Sequence, residues 1–480
     1  MNNTNDNLFF SVWRNKYLLS EIQRHHRLYN ENKKIVIDKS MNQLRNHPYR
    51  RYATKIIVSV NEPLEPHGLV IPYGTKEIHF KGLFCIPINA GDIPATVTSL
   101  YFGKNQQTNI QALSILNIIK LQCHNFQIIN ANMLPPSLTS LTMGTEQVIN
   151  VGTFPNSLID LSLYQFNKII IPGSFGSIVK LYLHSYDQPL KAGDLPVTCK
   201  VLFMGQYNQP LQPNVLPPHL EILTLPRLMH SISHGVLPES IIKLNIFHIE
   251  QPNILSSLKS LKTLKIYSFD KEISIDTFPH SIETLKLTLF TKVLKPNVLP
   301  PSLTKLCLFY YNNPLVPHVI PPNLQQLELQ SYDCNLGKNL FPNSLKSILL
   351  SNYRRNLLEN DLPSSITELD FGERGPNKLG ANSIPSSVKV LKLPLNYNQP
   401  LQVGIIPNSV ADLTLPSQYN HPLQVGISPE SLIRLNFGYY FSQPFDPNTI
   451  NIPQSVTQIK LPKSYPHLIP PYLYKKLDKK

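Results

Sequence analysis

Residues 384–404 read I-P-S-S-V-K-V-L-K-L-P-L-N-Y-N-Q-P-L-Q-V-G, and residues 405–426 read I-I-P-N-S-V-A-D-L-T-L-P-S-Q-Y-N-H-P-L-Q-V-G. The second is the first rewritten. Pro385 answers to Pro407, Val388 to Val410, Leu391 to Leu413, Leu393 to Leu415, Leu401 to Leu423 and Gly404 to Gly426, each 22 residues on. A fixed period of this length is the mark of a stacked repeat rather than of several unrelated domains.

Taking the proline as position zero, the same frame extends in both directions. A hydrophobic residue precedes it, Ser often stands at plus two, and hydrophobic residues stand at plus three, six and eight. The frame recurs 19 times from Pro72 to Pro453, with proline at zero in 16 units and Ile115, Phe175 and Leu258 in the other three. Steps are 20 to 22 residues except the last, which is 24. In Leu285-Lys286-Leu287 and Leu413-Thr414-Leu415 apolar residues alternate with a polar one, the pattern of a short half-buried strand. Proline cannot donate to a ladder, so it belongs to the turn before that strand. Downstream, Tyr397-Asn-Gln-Pro-Leu401, Tyr419-Asn-His-Pro-Leu423, Tyr207-Asn-Gln-Pro-Leu211 and Tyr311-Asn-Asn-Pro-Leu315 form a return arm. Its aromatic residue and Leu are expected to point inward, and its Asn or Asp to bond backbone groups of the turn. With 44 prolines against 19 glycines, long helices are excluded over the array. The expected fold is therefore β-rich, a solenoid of short parallel strands stabilised by neighbouring coils.

The formal charge of +14 suggests nucleic acid until it is divided by region. Residues 1–60 carry +7 and Lys475–Lys480 carry +3, leaving +4 for 61–474. An array so nearly balanced is not a phosphate-tracking surface, so no nucleic-acid partner is expected. The five cysteines, Cys85, Cys123, Cys199, Cys307 and Cys334, contain no C-x-x-C pair and point to neither a disulfide framework nor zinc. No secretory signal or membrane-length apolar run is readable, so a soluble, cytoplasmic protein without membrane insertion is expected.

Three segments result: a leader with a first strand at 1–60, the repeat array at 61–475 and a basic tail at 476–480. From Leu8 to Leu28 apolar residues fall at helical spacing, predicting an amphipathic helix. One reading makes it a cap over the first coil. Another makes it a docking element through Val12, Trp13, Tyr17, Leu18, Ile22, Gln23 and Arg27. Ile22-Gln23-x-x-x-Arg27 matches the opening of an IQ motif, and a basic amphipathic helix suits calmodulin; Leu28 and Asn32 depart from the rest of that motif.

The units also resemble a known family. The pattern [L/I/F]-P-x-S-[L/I/V]-x-x-L-x-L followed by [F/Y]-N-x-P-[L/I] is similar to FNIP repeats, leucine-rich-repeat relatives abundant in social amoebae and also seen in giant viruses. The resemblance covers about 60–475, with the arm degraded at Phe166-Asn-Lys-Ile169, at Phe441-Ser-Gln-Pro444 and over 103–132. It implies a leucine-rich-repeat-like solenoid that binds protein and has no catalytic residues. Val12 to Leu18 also resembles the F-box-like leader often found before such arrays. That implies a ligase substrate adaptor, although the usual Leu-Pro start is missing.

Catalytic signals are poor. Gly173-Ser-Phe-Gly-Ser177 lacks the Gly-Lys-Ser ending of a phosphate loop. His230 and His234 have metal-ligand spacing without a helix to align them. No enzyme, cofactor or metal is expected. Positions plus five, seven and nine should face outward. Around the middle units they hold Tyr182, Phe203, Phe247, Tyr267 and Phe309 beside Lys243, Lys265, Lys286 and Lys305. Aromatic anchors among cations are what a protein-binding hot spot for an acidic partner uses. The expected function is a non-enzymatic interaction scaffold binding through this sheet face; the alternatives are the ligase adaptor and the calmodulin-regulated binder, both acting through the leader.

Overall fold

A computed structural model describes residues 15–477 apart from 66–68, 83, 85, 90, 104–112, 124–128, 377 and 446–451. The chain divides into two compact units, Met1–Arg227 and Leu228–Lys480.

In the first unit, helix α1 (Lys16–Asn32) and a single helical turn α2 (Asn42–Arg45) accompany the parallel strands. These are β1 (Lys34–Ile37), β2 (Lys55–Val58), β3 (Glu77–Phe80), β4 (Ser99–Phe102), β5 (Lys120–Cys123), β6 (Ser140–Met143), β7 (Asp160–Leu163), β8 (Lys180–Leu183), β9 (Val201–Met204) and β10 (Ile222–Leu225). Each pairs in parallel with the next in sequence.

The second unit repeats this order. Its strands are β11 (Lys243–His248), β12 (Thr263–Ser268), β13 (Thr284–Leu289), β14 (Lys305–Leu308), β15 (Gln326–Leu329), β16 (Ser347–Leu350), β17 (Glu368–Asp370), β18 (Val390–Lys392), β19 (Asp412–Thr414), β20 (Arg434–Asn436) and β21 (Gln458–Lys460). Consecutive strands again pair in parallel. From β3 to β21 every strand begins five residues after the zero position read from the sequence. The parallel solenoid is thus borne out coil by coil. Strand β1 was not foreseen: Tyr29 stands where its coil would have the proline marker.

The physical basis of one coil is visible around β14. The Pro300 carbonyl accepts from the Leu303 amide at 3.2 Å, closing the turn. The plus-two Ser302 hydroxyl donates to the Ile282 carbonyl of the preceding coil at 2.7 Å, and Ser281 and Ser365 act alike. Serine recurs because it staples adjacent turns. Three residues before the proline the backbone is left-handed, with φ of 60° at Asn297, 66° at His318 and 87° at Gly404. Glycine and asparagine predominate at this position because they enter that region most cheaply.

Leu264, Leu285, Leu306 and Leu327 share one register line and are buried. Tyr186, Tyr207, Tyr311 and Tyr419 are buried in the return arms, as are Leu190, Leu211, Leu315 and Leu423. The arm asparagines differ from expectation. Asn312 Oδ1 accepts from the Asp333 amide at 2.7 Å, and Asp333 Oδ1 from the Arg354 amide at 2.9 Å, each one coil on. These side chains join coils instead of closing their own turn, which satisfies amides that the irregular arm leaves outside the ladder.

Glu77 on β3 accepts from Lys55 Nζ at 2.8 Å and contacts His79 Nε2. Burial opposes its ionisation, but the hydrogen bonds from Lys55 and His79 outweigh it and lower its pKa below the ordinary 4.5. A depressed carboxyl pKa stabilises above the unfolded value and loses that contribution as pH falls through the folded one. Acidification below about 4.5 is therefore expected to speed hydrogen exchange at Ile56 and Ile78, with a weaker acid dependence in Glu77→Gln. Equal acid dependence in the two proteins contradicts this.

Candidate functional site

The strands show the alternation that makes an outer face. In β12 and β13, plus six and plus eight are buried, while Lys265 and Lys286 at plus seven are half-buried on the opposite side. Outward residues of successive coils stand side by side because the register is unshifted.

In the first unit Tyr182 and Phe203 are register partners, with ring centroids 6.4 Å apart. His184 lies 5.1 Å from Phe203 and stacks on Tyr164 at 4.4 Å. Ser162 Oγ is 3.0 Å from His184 Nε2. Burial lowers the His184 pKa, favouring a neutral ring. This patch packs against itself.

The second unit is different in kind. Phe247 and Tyr267 stack at 5.1 Å, and Tyr267 is 47% exposed. Lys265 and Lys286 are direct register partners. Lys286 Nζ sits 4.3 Å above the Phe309 ring, and Lys305 Nζ is 2.6 Å from Glu328. Lys243 is exposed at the edge of the group. On several other coils facing charges are neutralised between coils, as in Lys392–Asp370 at 3.0 Å and Arg434–Asp412 at 2.7 Å. Among the described residues no carboxylate pairs with Lys243, Lys265 or Lys286. Like charges directly opposite one another destabilise a sheet. Burial first, then Lys243 and Lys286, press the Lys265 pKa below its usual value.

Beyond Lys305 the polarity reverses. A hollow of about 250 Å³ is lined by Lys305, Glu328, Leu349, Glu368 and Asp370, among others. The sequence reading missed this acidic border, although its residues occupy the same plus-five and plus-seven positions. Cys307, also at plus seven, is buried, and burial first, then Glu328, push its thiol up to about 12.

In the leader, Val12 and Trp13 lie outside the described residues. Helix α1 starts at Lys16, capped by Asn15 Oδ1 accepting from the Tyr17 and Leu18 amides at 3.0 and 3.2 Å. It runs past Leu28 to Asn32 and buries only Leu28. Tyr17 is 71% exposed, and Leu18, Ile22, Gln23 and Arg27 are also exposed. Gly173-Ser177 forms a turn with φ of 81° at Gly173, while His230 and His234 stand exposed on a loop. Among the described residues no cluster of His, Cys, Asp or Glu is arranged to hold a metal, and no helix is long and apolar enough to cross a membrane.

The FNIP Repeat profile matches residues 186–228, 207–248, 251–290, 290–332, 332–374, 376–418 and 419–464. Among solved structures, CroV588, described as a novel circular LRR protein, aligns with a TM-score of 0.62 at 24% identity. That alignment covers 90% of this chain and 78% of CroV588. The LRR protein LIC12759 of Leptospira interrogans aligns with a TM-score of 0.44 at 16% identity, over 75% of this chain and 94% of that one. No curated protein matches the chain in sequence.

Proposed function

The chain belongs to the FNIP repeat family, and from that premise we propose that it is a non-enzymatic interaction scaffold whose sheet face at β11–β14 docks an acidic protein segment. The observation that carries the reading is that Lys265 and Lys286 are direct register partners with Lys243 nearby, and that among the described residues none of the three has a carboxylate partner, whereas other coils set a lysine or arginine against a carboxylate, as in Lys392–Asp370 and Arg434–Asp412. An acidic partner relieves that repulsion. Phe247, Tyr267 and Phe309 supply the apolar contact that fixes such a partner in place. The reading places the protein in the cytoplasm, with neither nucleic acid nor membrane as its partner.

A second reading draws on α1, whose exposed Tyr17, Leu18 and Ile22 beside Gln23 and Arg27 suit a groove on calmodulin or a ligase adaptor. One binding experiment separates the two. A fluorescent peptide of Asp, Glu and Tyr is titrated with the full chain at low and high salt. The sheet-face reading predicts binding that weakens with salt and is largely lost in Phe247→Ala/Tyr267→Ala, but is kept in Leu18→Asp/Ile22→Asp. If instead only the leader variant loses binding to the peptide or to purified calmodulin, the leader carries the contact and the sheet-face reading fails.

A further inference from the structure

We propose that Lys265 is a modification site, the nucleophilic amine of the sheet face, acylated by thioester donors, and that its acylation weakens docking of the acidic partner. The reactivity stands on the side-chain arrangement; the effect on docking rests on the function proposed above.

Four lysines share this patch, and three have their charge accommodated. Lys286 has the Phe309 ring at 4.3 Å, Lys305 has Glu328 at 2.6 Å, and Lys243 is exposed to water. Lys265 is half-buried, with Asn245 of β11 on one side and Lys286 of β13 on the other. Lys243 and Lys305 are the further charges acting on it, and the Cys307 thiol, raised to about 12, stays neutral. The permanent charges that act on Lys265 from these strands, those of Lys243, Lys286 and Lys305, are all positive. Its pKa is lowered by burial first and by Lys243 and Lys286 next. The neutral amine is the nucleophile, and a lysine desolvated beside other cations is how proteins raise its population.

In the step, the Nζ lone pair adds to the thioester carbonyl carbon. A C–N bond forms, the C–S bond breaks with its electron pair leaving on sulfur, and one Nζ proton is released to solvent or to the thiolate. The product is a neutral amide. The patch loses its central positive charge, and with it the attraction for carboxylates.

The full chain is treated with a limiting amount of S-acetyl-N-acetylcysteamine, and acetylation at each lysine is followed by peptide mass spectrometry. Lys180, Lys346 and Lys389, exposed on other coils, serve as references. Lys265 is expected to react severalfold faster than these, and its excess is expected to vanish in denaturant and to shrink in Lys243→Gln/Lys286→Gln. Reaction no faster than the references overturns the proposal, as does an excess untouched by removing the neighbouring charges. With labelling confined to Lys265, the acetylated chain is expected to bind the acidic peptide severalfold more weakly than the unmodified chain. Excess labelling with unchanged peptide binding overturns the switch while leaving the reactive amine standing, whereas an unmodified chain that fails to bind the peptide overturns the docking reading on which the switch rests.

Discussion

Replacing Leu285 by Ala is expected to destabilise its coil by about 2 to 5 kcal/mol. Leu285 is fully buried, and its register partners Leu264 and Leu306 are fully buried beside it. Truncation removes packing atoms from a line of leucines whose positions are fixed by the ladder, so the walls cannot close over the gap. Because each coil of a solenoid depends mainly on its neighbours, the damage should be concentrated there. Hydrogen exchange is expected to accelerate first in β12–β14 and to change least in β19 and β20. Leu289, on the same strand but 39% exposed, is the matched control. Its replacement by Ala is expected to stay within about 0.5 kcal/mol. Uniform acceleration along the second unit would show that its coils unfold as one body.

Gly438→Ala is expected to destabilise the coil after β20 by about 1 to 3 kcal/mol or more. A Cβ built on Gly438 would lie 1.7 Å from the Pro416 carbonyl oxygen and 2.9 Å from Ser417 Cα. Both obstacles are backbone and cannot swing aside. Gly438 stands nine residues after Pro429, and Gly205 stands nine after Pro196, where an added Cβ would meet the His184 carbonyl oxygen at 2.5 Å. At both places the chain leaves its strand and crosses close above the preceding coil. Thermal unfolding of Gly438→Ala beside Gly380→Ala measures the effect, since nothing lies within 4 Å of a Cβ at Gly380. Equal melting temperatures would contradict the steric argument.

The strand positions were legible because one residue type, proline, marks a fixed place in nearly every coil. Even the units centred on Ile115, Phe175 and Leu258 kept the spacing, and β5, β8 and β12 lie where the frame puts them. Strand β1 escaped because Lys34-Ile-Val-Ile37 is a short alternation without that marker. The partners of Ser302 and Asn312 were not legible, since each reaches one coil along and its destination depends on how the coils stack. The same limit applies to the site. Outward placement of Lys243, Lys265, Lys286 and Lys305 follows from the frame. That Phe309 accommodates Lys286 and Glu328 accommodates Lys305, leaving Lys265 exposed to its neighbours' charge, follows only from side-chain geometry across coils.

The central claim is that β11–β14 forms a docking face for an acidic protein segment, and the affinity of the acidic peptide for two charge-matched variants tests it most directly. Lys265→Glu/Lys286→Glu reverses charge within the face, whereas Lys346→Glu/Lys389→Glu makes the same change in net charge at exposed positions away from it. The account predicts at least a tenfold loss of affinity, about 1.4 kcal/mol, in the first variant and little change in the second. Equal losses in the two would mean that the peptide responds to overall charge alone, and would contradict the assignment.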